Sequence, residues 1–169
     1  SMEVGSEGLI GFARLVCHII DFKSEFTATH TSGLAATAMA VARLAGFSEE
    51  ECGMIEVAAY LHDVGKLAVP SEIIEKSSTL TQEEWDIMRA HTFHGFRTLQ
   101  KIPLLETINV WGSLHHEKLD GSGYPFRLKG KELPLGSRIM AVADIFAALT
   151  EDRPYRRGMQ AQAALSIIN

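Results

Sequence analysis

The sequence predicts a single all-α domain, and three features of its pattern support this fold class. Apolar residues recur at i, i+3, i+4 and i+7 along most of the 169 residues, strand signals are weak, and two S/T-x-x-E capping boxes mark helix starts. The composition, 46% hydrophobic and 22% charged, is typical of a globular protein with a buried core. We therefore predict one domain over residues 1–169, with residues 1–2 a cloning remnant.

The helices can be placed in order along the chain. The first is predicted at about 7–23, with an apolar face made of Leu9, Phe12, Ala13, Val16, Ile19 and Ile20. Others follow at about 29–45, from the capping box at 48–51 to residue 62, at 70–74, from the capping box at 81–84 past residue 91, and at 104–116, 135–150 and 159–168. Residues 118–134 are rich in glycine and proline, which predicts a long loop, and its aromatic residues favour an ordered one.

Composition excludes several classes of function. The net charge of −5 gives no basic field for a nucleic acid polymer. Cys17 and Cys52 form no CxxC pair, which argues against a disulfide framework or a thiolate zinc site and suits a reducing cytosol. No apolar run is long enough to span a membrane, and no signal peptide is evident, so the sequence predicts a cytoplasmic protein.

The chemistry centres on His62 and Asp63, which follow an apolar helical run. Buried imidazole and carboxylate groups are costly unless they are paired or bind a metal. Gly65 is expected to end the helix in a left-handed conformation, which leaves Lys66 just beyond it as a nearby positive charge.

Further histidines and acids lie on or at the ends of other predicted helices, and facing helices of a bundle can bring such groups to one interior point. The imidazole and carboxylate set suits iron, manganese, cobalt, nickel or zinc rather than calcium. His18 is expected to be an ordinary core or surface residue, and His94 to take a supporting or surface role. The remaining set exceeds the needs of one ion and suits two ions bridged by Asp63, an arrangement that hydrolyses phosphate esters: His30, His62, Asp63, His91, His115, His116 and Asp144.

Two motifs resemble a known family. The segment His62 to Lys66 resembles the HD motif of metal-dependent phosphohydrolases, and His115 to Pro125 resembles the HHExxDGxGYP signature of the HD-GYP subfamily. The similarity extends from about Thr27 to the DRPYR segment that ends at Arg156. This resemblance implies an all-α HD-domain helical bundle with a long GYP loop. It also implies a phosphodiesterase that hydrolyses cyclic di-GMP to linear pGpG, or onward to GMP, by attack of a metal-bridging hydroxide.

The resemblance also implies roles for individual residues. The family's metal ligands fall on the seven residues above, with His30, His62, Asp63 and Asp144 at one metal and Asp63, His91, His115 and His116 at the other. The metals are expected to be iron or manganese, with zinc, nickel, cobalt and magnesium as alternatives. Lys66 joins Asp63 in catalysis, while Tyr124, Arg153 and Arg156 are expected to bind substrate.

Departures from the family pattern refine these expectations. Trimetallic members have a glutamate where this chain has Phe26, so we predict two metals. No sensor segment precedes the domain and the last helix stops early, so we expect an excised catalytic domain. The full-length protein is expected to carry a sensor or receiver domain. We also expect a homodimer. Two alternatives stay open: another cyclic dinucleotide such as cyclic GMP-AMP, and a non-catalytic module that binds a nucleotide or a protein. The HHExxDGxGYP match argues against a third, a nucleotide monoester.

Overall fold

The computed structural model describes residues 6–23, 28–152 and 157–168, without the side chains of residues 6 and 28–30. Over these residues the chain forms eight α-helices: α1 (Ser6–Lys23), α2 (Ala28–Leu44), α3 (Glu49–Leu61), α4 (Ser71–Ile74), α5 (Gln82–Leu99), α6 (Glu106–Ser113), α7 (Leu135–Thr150) and α8 (Ala161–Ile168). Short 3-10 turns occupy Val64–Ala68, Pro103–Leu105 and Gly130–Glu132. The described residues form no β-strand, and the predicted all-α fold is confirmed.

Helix α3 lies at the centre of the bundle and packs against α1, α2 and α6. Small residues allow these close approaches, since Ala58 and Ala59 of α3 are fully buried. A Cβ added to Gly112 of α6 would lie 3.1 Å from the Ala58 carbonyl oxygen. Because α3 is held on three sides, the residues at its end have a fixed position.

The two capping boxes form as the sequence predicts. The Ser48 hydroxyl accepts from the Glu51 amide (3.2 Å), while the Glu51 carboxylate accepts from the Ser48 amide (2.8 Å). Thr81 and Glu84 make the same pair of bonds at the start of α5 (3.3 and 2.7 Å). Each box satisfies two amides that the helix leaves free, which fixes where α3 and α5 begin.

The predicted apolar face of α1 is only partly buried. Ala13 and Ile20 are buried, but Phe12 and Ile19 are 55% and 53% exposed, and His18 is an exposed surface residue. The periodicity identified the helix correctly. However, α1 is covered along a narrow strip by α3 and its neighbours, so only one edge of the wide apolar face reaches the core.

The prediction that Gly65 ends a helix in a left-handed conformation was wrong. Gly65 lies inside the 3-10 turn Val64–Ala68, and its backbone is not left-handed. A Cβ there would lie 1.8 Å from the His91 carbonyl oxygen of α5. Glycine is therefore required by the close approach of two backbones, and this contact brings α5 against the end of α3.

Other expectations concern the loop, the cysteines and membrane spans. Residues 118–134 form the predicted long loop, which contains the 3-10 turn Gly130–Glu132 and one bridge between Asp120 and Lys129. Cys17 and Cys52 are buried free thiols, and burial raises the pKa of Cys17 to about 11. None of the helices in the described ranges is both long and apolar enough to cross a membrane.

Candidate metal centre

The end of α3 places two adjacent polar side chains in the core. His62 is 3% exposed and Asp63 is 7% exposed. At this point the α-helix ends and the 3-10 turn Val64–Ala68 begins. The turn packs against α5, and α3 packs against α6, so His62 and Asp63 lie between these two helices.

Three buried histidines share one orientation. The Nδ1 atoms of His62, His91 and His115 lie 2.6–2.7 Å from the carbonyl oxygens three residues earlier in the chain. A carbonyl oxygen can only accept, so each Nδ1 carries the proton and donates it. With the proton held on Nδ1, Nε2 is the ring atom that can offer a lone pair to a metal, which is the orientation of a metal-binding histidine.

The Asp63 carboxylate lies between these groups. Its Oδ2 atom is 3.2 Å from His62 Nε2 and 2.6 Å from Lys66 Nζ, and its Oδ1 atom is 3.3 Å from His91 Nε2. Burial alone would raise the pKa of Asp63, but the charges of His62 and Lys66 outweigh it and hold the pKa well below its ordinary value. The carboxylate is thus an anion with both oxygens facing nitrogen atoms, and the same anion raises the pKa of His62 against the effect of burial.

His115 and His116 complete the cluster just after α6. The His115 ring lies 4.8 Å from the His62 ring and 4.0 Å from the His116 ring, and His116 lies 5.4 Å from His91. Burial holds the pKa of His115 well below its ordinary value and lowers that of His116 to about 2, with neighbouring imidazoles adding to both shifts. Both rings are therefore neutral near pH 7 and have lone pairs to offer.

These residues fit a metal ion on the chemistry of their donor atoms. Two overlapping groups, His91–His115–His116 and His62–Asp63–His115, each have ligand atoms within 4.8 Å of one another. His91 Nε2 is fully buried and has no hydrogen-bond partner, although Asp63 Oδ1 is near. Such an orphaned atom is costly unless a ligand satisfies it. The Lys66 ammonium already places a positive charge on Asp63 Oδ2, where a cation would bind.

The other predicted residues fall into two groups. Asp144 of α7 interacts electrostatically with both His62 and His116, so the fold brings it to the same centre. The backbone of His30 lies in α2, but its side chain, like Arg153 and Arg156, lies outside the described residues. His94 is exposed on α5. The roles predicted for the whole set stay predictions.

Tyr124 in the long loop lies directly against the histidine cluster. Its ring is 4.8 Å from the His116 ring, and its backbone amide donates to the His116 carbonyl oxygen (3.2 Å). A Cβ on Gly123 would lie 2.4–2.6 Å from backbone atoms of residues 116–118, so only glycine allows the loop to return so closely. Burial raises the pKa of Tyr124 to about 12, which keeps its hydroxyl protonated.

Glu117 has a structural role that the sequence did not reveal. It is 5% exposed, and its carboxylate accepts from the backbone amides of Phe126 (2.6 Å), Arg127 (3.0 Å) and Leu128 (3.1 Å). Phe126 also packs on Phe96 of α5, with ring centres 5.0 Å apart. Because Glu117 directly follows His116, these bonds hold residues 126–128 of the loop beside the histidine cluster. The signal in the sequence was the acid directly after two candidate ligands, but its partners are nine to eleven residues away.

Comparisons with known proteins support a common ancestry. The "3'3'-cGAMP-specific phosphodiesterase 1" of Vibrio cholerae is 36% identical over 166 residues, which are 98% of this chain and 38% of that protein. The "Cyclic di-GMP phosphodiesterase" of Thermotoga maritima is 40% identical over 147 residues, 83% of this chain and 40% of that protein. The chain thus spans about two fifths of the length of these curated relatives.

A solved structure supports the fold. The HDG"Y"P protein Bd1817 from Bdellovibrio bacteriovorus matches with a TM-score of 0.70 and 16% identity, covering 96% of this chain and 57% of that one. The family model of the HD domain matches residues 14–169. The chain therefore belongs to the HD domain family, and this membership implies that its histidine and aspartate cluster binds divalent metal ions.

Proposed function

We propose that this domain is a metal-dependent phosphodiesterase that hydrolyses cyclic di-GMP to linear pGpG in the cytoplasm. The observation that carries the proposal is the set of imidazole Nε2 atoms around Asp63, each with its Nδ1 proton held by a backbone carbonyl. Burying several imidazoles around one carboxylate is costly unless they bind a ligand, and relatives that are 36–40% identical to this chain are named as cyclic dinucleotide phosphodiesterases.

Two divalent ions, iron or manganese, fit the number of donors better than one ion. Asp63 offers one oxygen to each side of the cluster, and His115 belongs to both groups of donors. In our proposal His30, His62, Asp63 and Asp144 hold one ion, and Asp63, His91, His115 and His116 hold the other. Such a pair supplies an activated water near neutral pH and withdraws charge from a phosphodiester.

The chain's own groups would orient the substrate and balance its charge. Lys66 lies next to Asp63 and is only partly buried, so its ammonium can bind a phosphate oxygen at the edge of the cluster. Tyr124 presents a ring and a protonated hydroxyl beside His116, which suits contact with a base or a phosphate. We assign Arg153 and Arg156 to the phosphates as well, on the family resemblance.

The experiment is a product assay after anaerobic loading with iron or manganese. Cyclic di-GMP should yield pGpG, detected by chromatography, and Asp63→Asn should abolish turnover. Tight binding of the dinucleotide without product would instead favour a non-catalytic module. Fewer than two metal ions in an active domain would contradict the two-metal arrangement.

Cyclic GMP-AMP is a second candidate substrate, favoured by the names of three Vibrio cholerae relatives that are 36–39% identical to this chain. Both dinucleotides carry the same phosphodiester ring and differ in one base. Competition between them at equal concentration distinguishes the two: the preferred substrate is consumed first, and the ratio of kcat/KM values gives the discrimination.

A further inference from the structure

A cavity of about 430 Å³ opens beside Tyr124, next to the candidate metal centre. Its volume lies within the range of small-molecule sites. Helix α5 forms one wall and the long loop forms the other, and the lining comprises Asp86, Arg89, Lys118, Gly121, Ser122, Gly123, Tyr124, Pro125 and Arg127.

The cavity is positively charged although the chain is acidic. Arg89, Lys118 and Arg127 contribute three positive charges, and Asp86 contributes the only negative one among the lining residues. Over the part of the chain that the structure describes, neither Lys118 nor Arg127 forms an ion pair within 4 Å, although Lys118 interacts electrostatically with Asp120 at longer range. Arg89 makes one long ion pair, 3.9 Å, with Asp86. Three cations held around one space with so little neutralisation indicate an anionic ligand.

Arg89 is also held in place before any ligand binds. Its guanidinium lies 5.6 Å from the Trp85 ring centre and 5.8 Å from the Tyr124 ring centre. Contacts with two aromatic faces restrict a long side chain, so less conformational entropy is lost when it binds a phosphate.

The opposite wall is held by the Glu117 carboxylate. It accepts from the Arg127 amide (3.0 Å), and Arg127 has φ 59°, a left-handed conformation that is unfavourable for a non-glycine residue. The loop maintains this conformation with Arg127 in the cavity wall. The backbone that carries this cation is therefore held by the same carboxylate that holds the loop beside His116.

We propose that Arg89, Lys118 and Arg127 bind the second phosphate of a cyclic dinucleotide, the one that is not being hydrolysed. This inference rests on the proposed function, which places the first phosphate at the histidine cluster. Tyr124 connects the two places, because its ring contacts His116 on the metal side and Arg89 in the cavity. A substrate with two phosphodiesters in one ring has a second phosphate to place in the cavity, whereas a simple diester has none.

The test compares two substrates: cyclic di-GMP, and bis(4-nitrophenyl) phosphate, which has a single phosphate. Arg89→Gln, Lys118→Gln and Arg127→Gln should each raise KM for cyclic di-GMP about tenfold, the loss expected for one charge-assisted hydrogen bond. Their kcat for cyclic di-GMP and their kcat/KM for the small diester should stay within about twofold of the parent. Arg89→Lys should recover only part of the loss, because an ammonium cannot replace a planar fork.

Matched controls are available on both walls. Arg97→Gln changes an exposed arginine of α5, and Lys131→Gln changes an exposed lysine of the long loop. Neither residue lines the cavity, so both variants should have the KM and kcat of the parent. Asp86→Asn removes the negative charge and should leave KM unchanged or lower. A higher KM for Asp86→Asn would overturn the phosphate assignment in favour of contact with a base.

Two further results would overturn the proposal. Unchanged KM values for cyclic di-GMP in all three cavity variants would exclude a phosphate contact there. An equal loss with both substrates would show that the substitutions disturb the metal centre instead. If the metal-loaded parent hydrolyses neither substrate, the proposed function fails. The cavity is then judged by equilibrium binding of cyclic di-GMP, which the three variants must weaken relative to the two controls.

Discussion

Replacing Glu117 with glutamine should release the long loop from the histidine cluster. The parent carboxylate accepts hydrogen bonds from three backbone amides at 2.6–3.1 Å, and Glu117 is only 5% exposed. Glutamine keeps one acceptor oxygen but places an N–H₂ group where the second oxygen was, so at least one amide faces a donor. Losing one hydrogen bond to a charged acceptor and weakening the others costs about 3 kcal/mol.

Amide hydrogen exchange measures this cost locally. A loss of about 3 kcal/mol corresponds to exchange roughly 100-fold faster at Phe126, Arg127 and Leu128. The melting temperature should fall by roughly 10 °C if the loop unfolds with the domain. Glu132→Gln is the matched control, because Glu132 is exposed in the same segment and accepts from a single amide, that of Lys129.

The reasoning would be refuted by unchanged exchange at these three amides. It would also be refuted if Glu132→Gln had an equal effect on them. In either case the loop would be held by its packing on α5 and not by the carboxylate. Metal content should stay at the parent level in Glu117→Gln, since this residue is not among the predicted ligands.

Three other predictions concern the cluster and its scaffold. Asp63→Asn should lose both metal ions together, measured by elemental mass spectrometry, because both sides of the cluster use this carboxylate; loss of a single ion would contradict a bridging role. In the metal-free protein the pKa of His116 is about 2 in the folded state against 6.5 in the unfolded chain, so the unfolded state binds the proton more readily. The free energy of unfolding should therefore fall as pH drops below 6.5, by ~2 kcal/mol at pH 5. Denaturant titrations of His116→Gln should lack this contribution to the pH dependence. Gly65→Ala should cost roughly 3 kcal/mol in thermal unfolding, because its Cβ would meet the His91 carbonyl, while Gly53→Ala, with open space around it, should be neutral or stabilising.

Local signals allowed much of the fold to be predicted from the sequence. The starts of α3 and α5 were predictable because a capping box involves only residues three apart. The exposure of Phe12 and the true constraint on Gly65 were not, since both depend on which distant surface covers a residue. Periodicity identifies a helix face but does not say how much of that face a neighbour will cover.

The candidate site also contains residues that the sequence predicted and residues that it did not. His62 and Asp63 were evident because polar residues interrupt an apolar run, and the fold brings His91, His115 and Asp144 to them. Glu117 was missed because its three partners are backbone amides, which have no signature in the sequence. The cation lining of the cavity was missed for a related reason. Arg89 and Arg127 are far apart in the chain and become neighbours only when the loop docks on α5.

Anomalous X-ray diffraction from crystals of the manganese-loaded or iron-loaded domain tests the central claim most directly. Our account predicts two anomalous peaks, one on each side of the Asp63 carboxylate, with His62 near one and His91 and His116 near the other. A map without a peak within bonding distance of Asp63 would contradict it, and so would a single fully occupied ion that leaves His91 Nε2 without a partner.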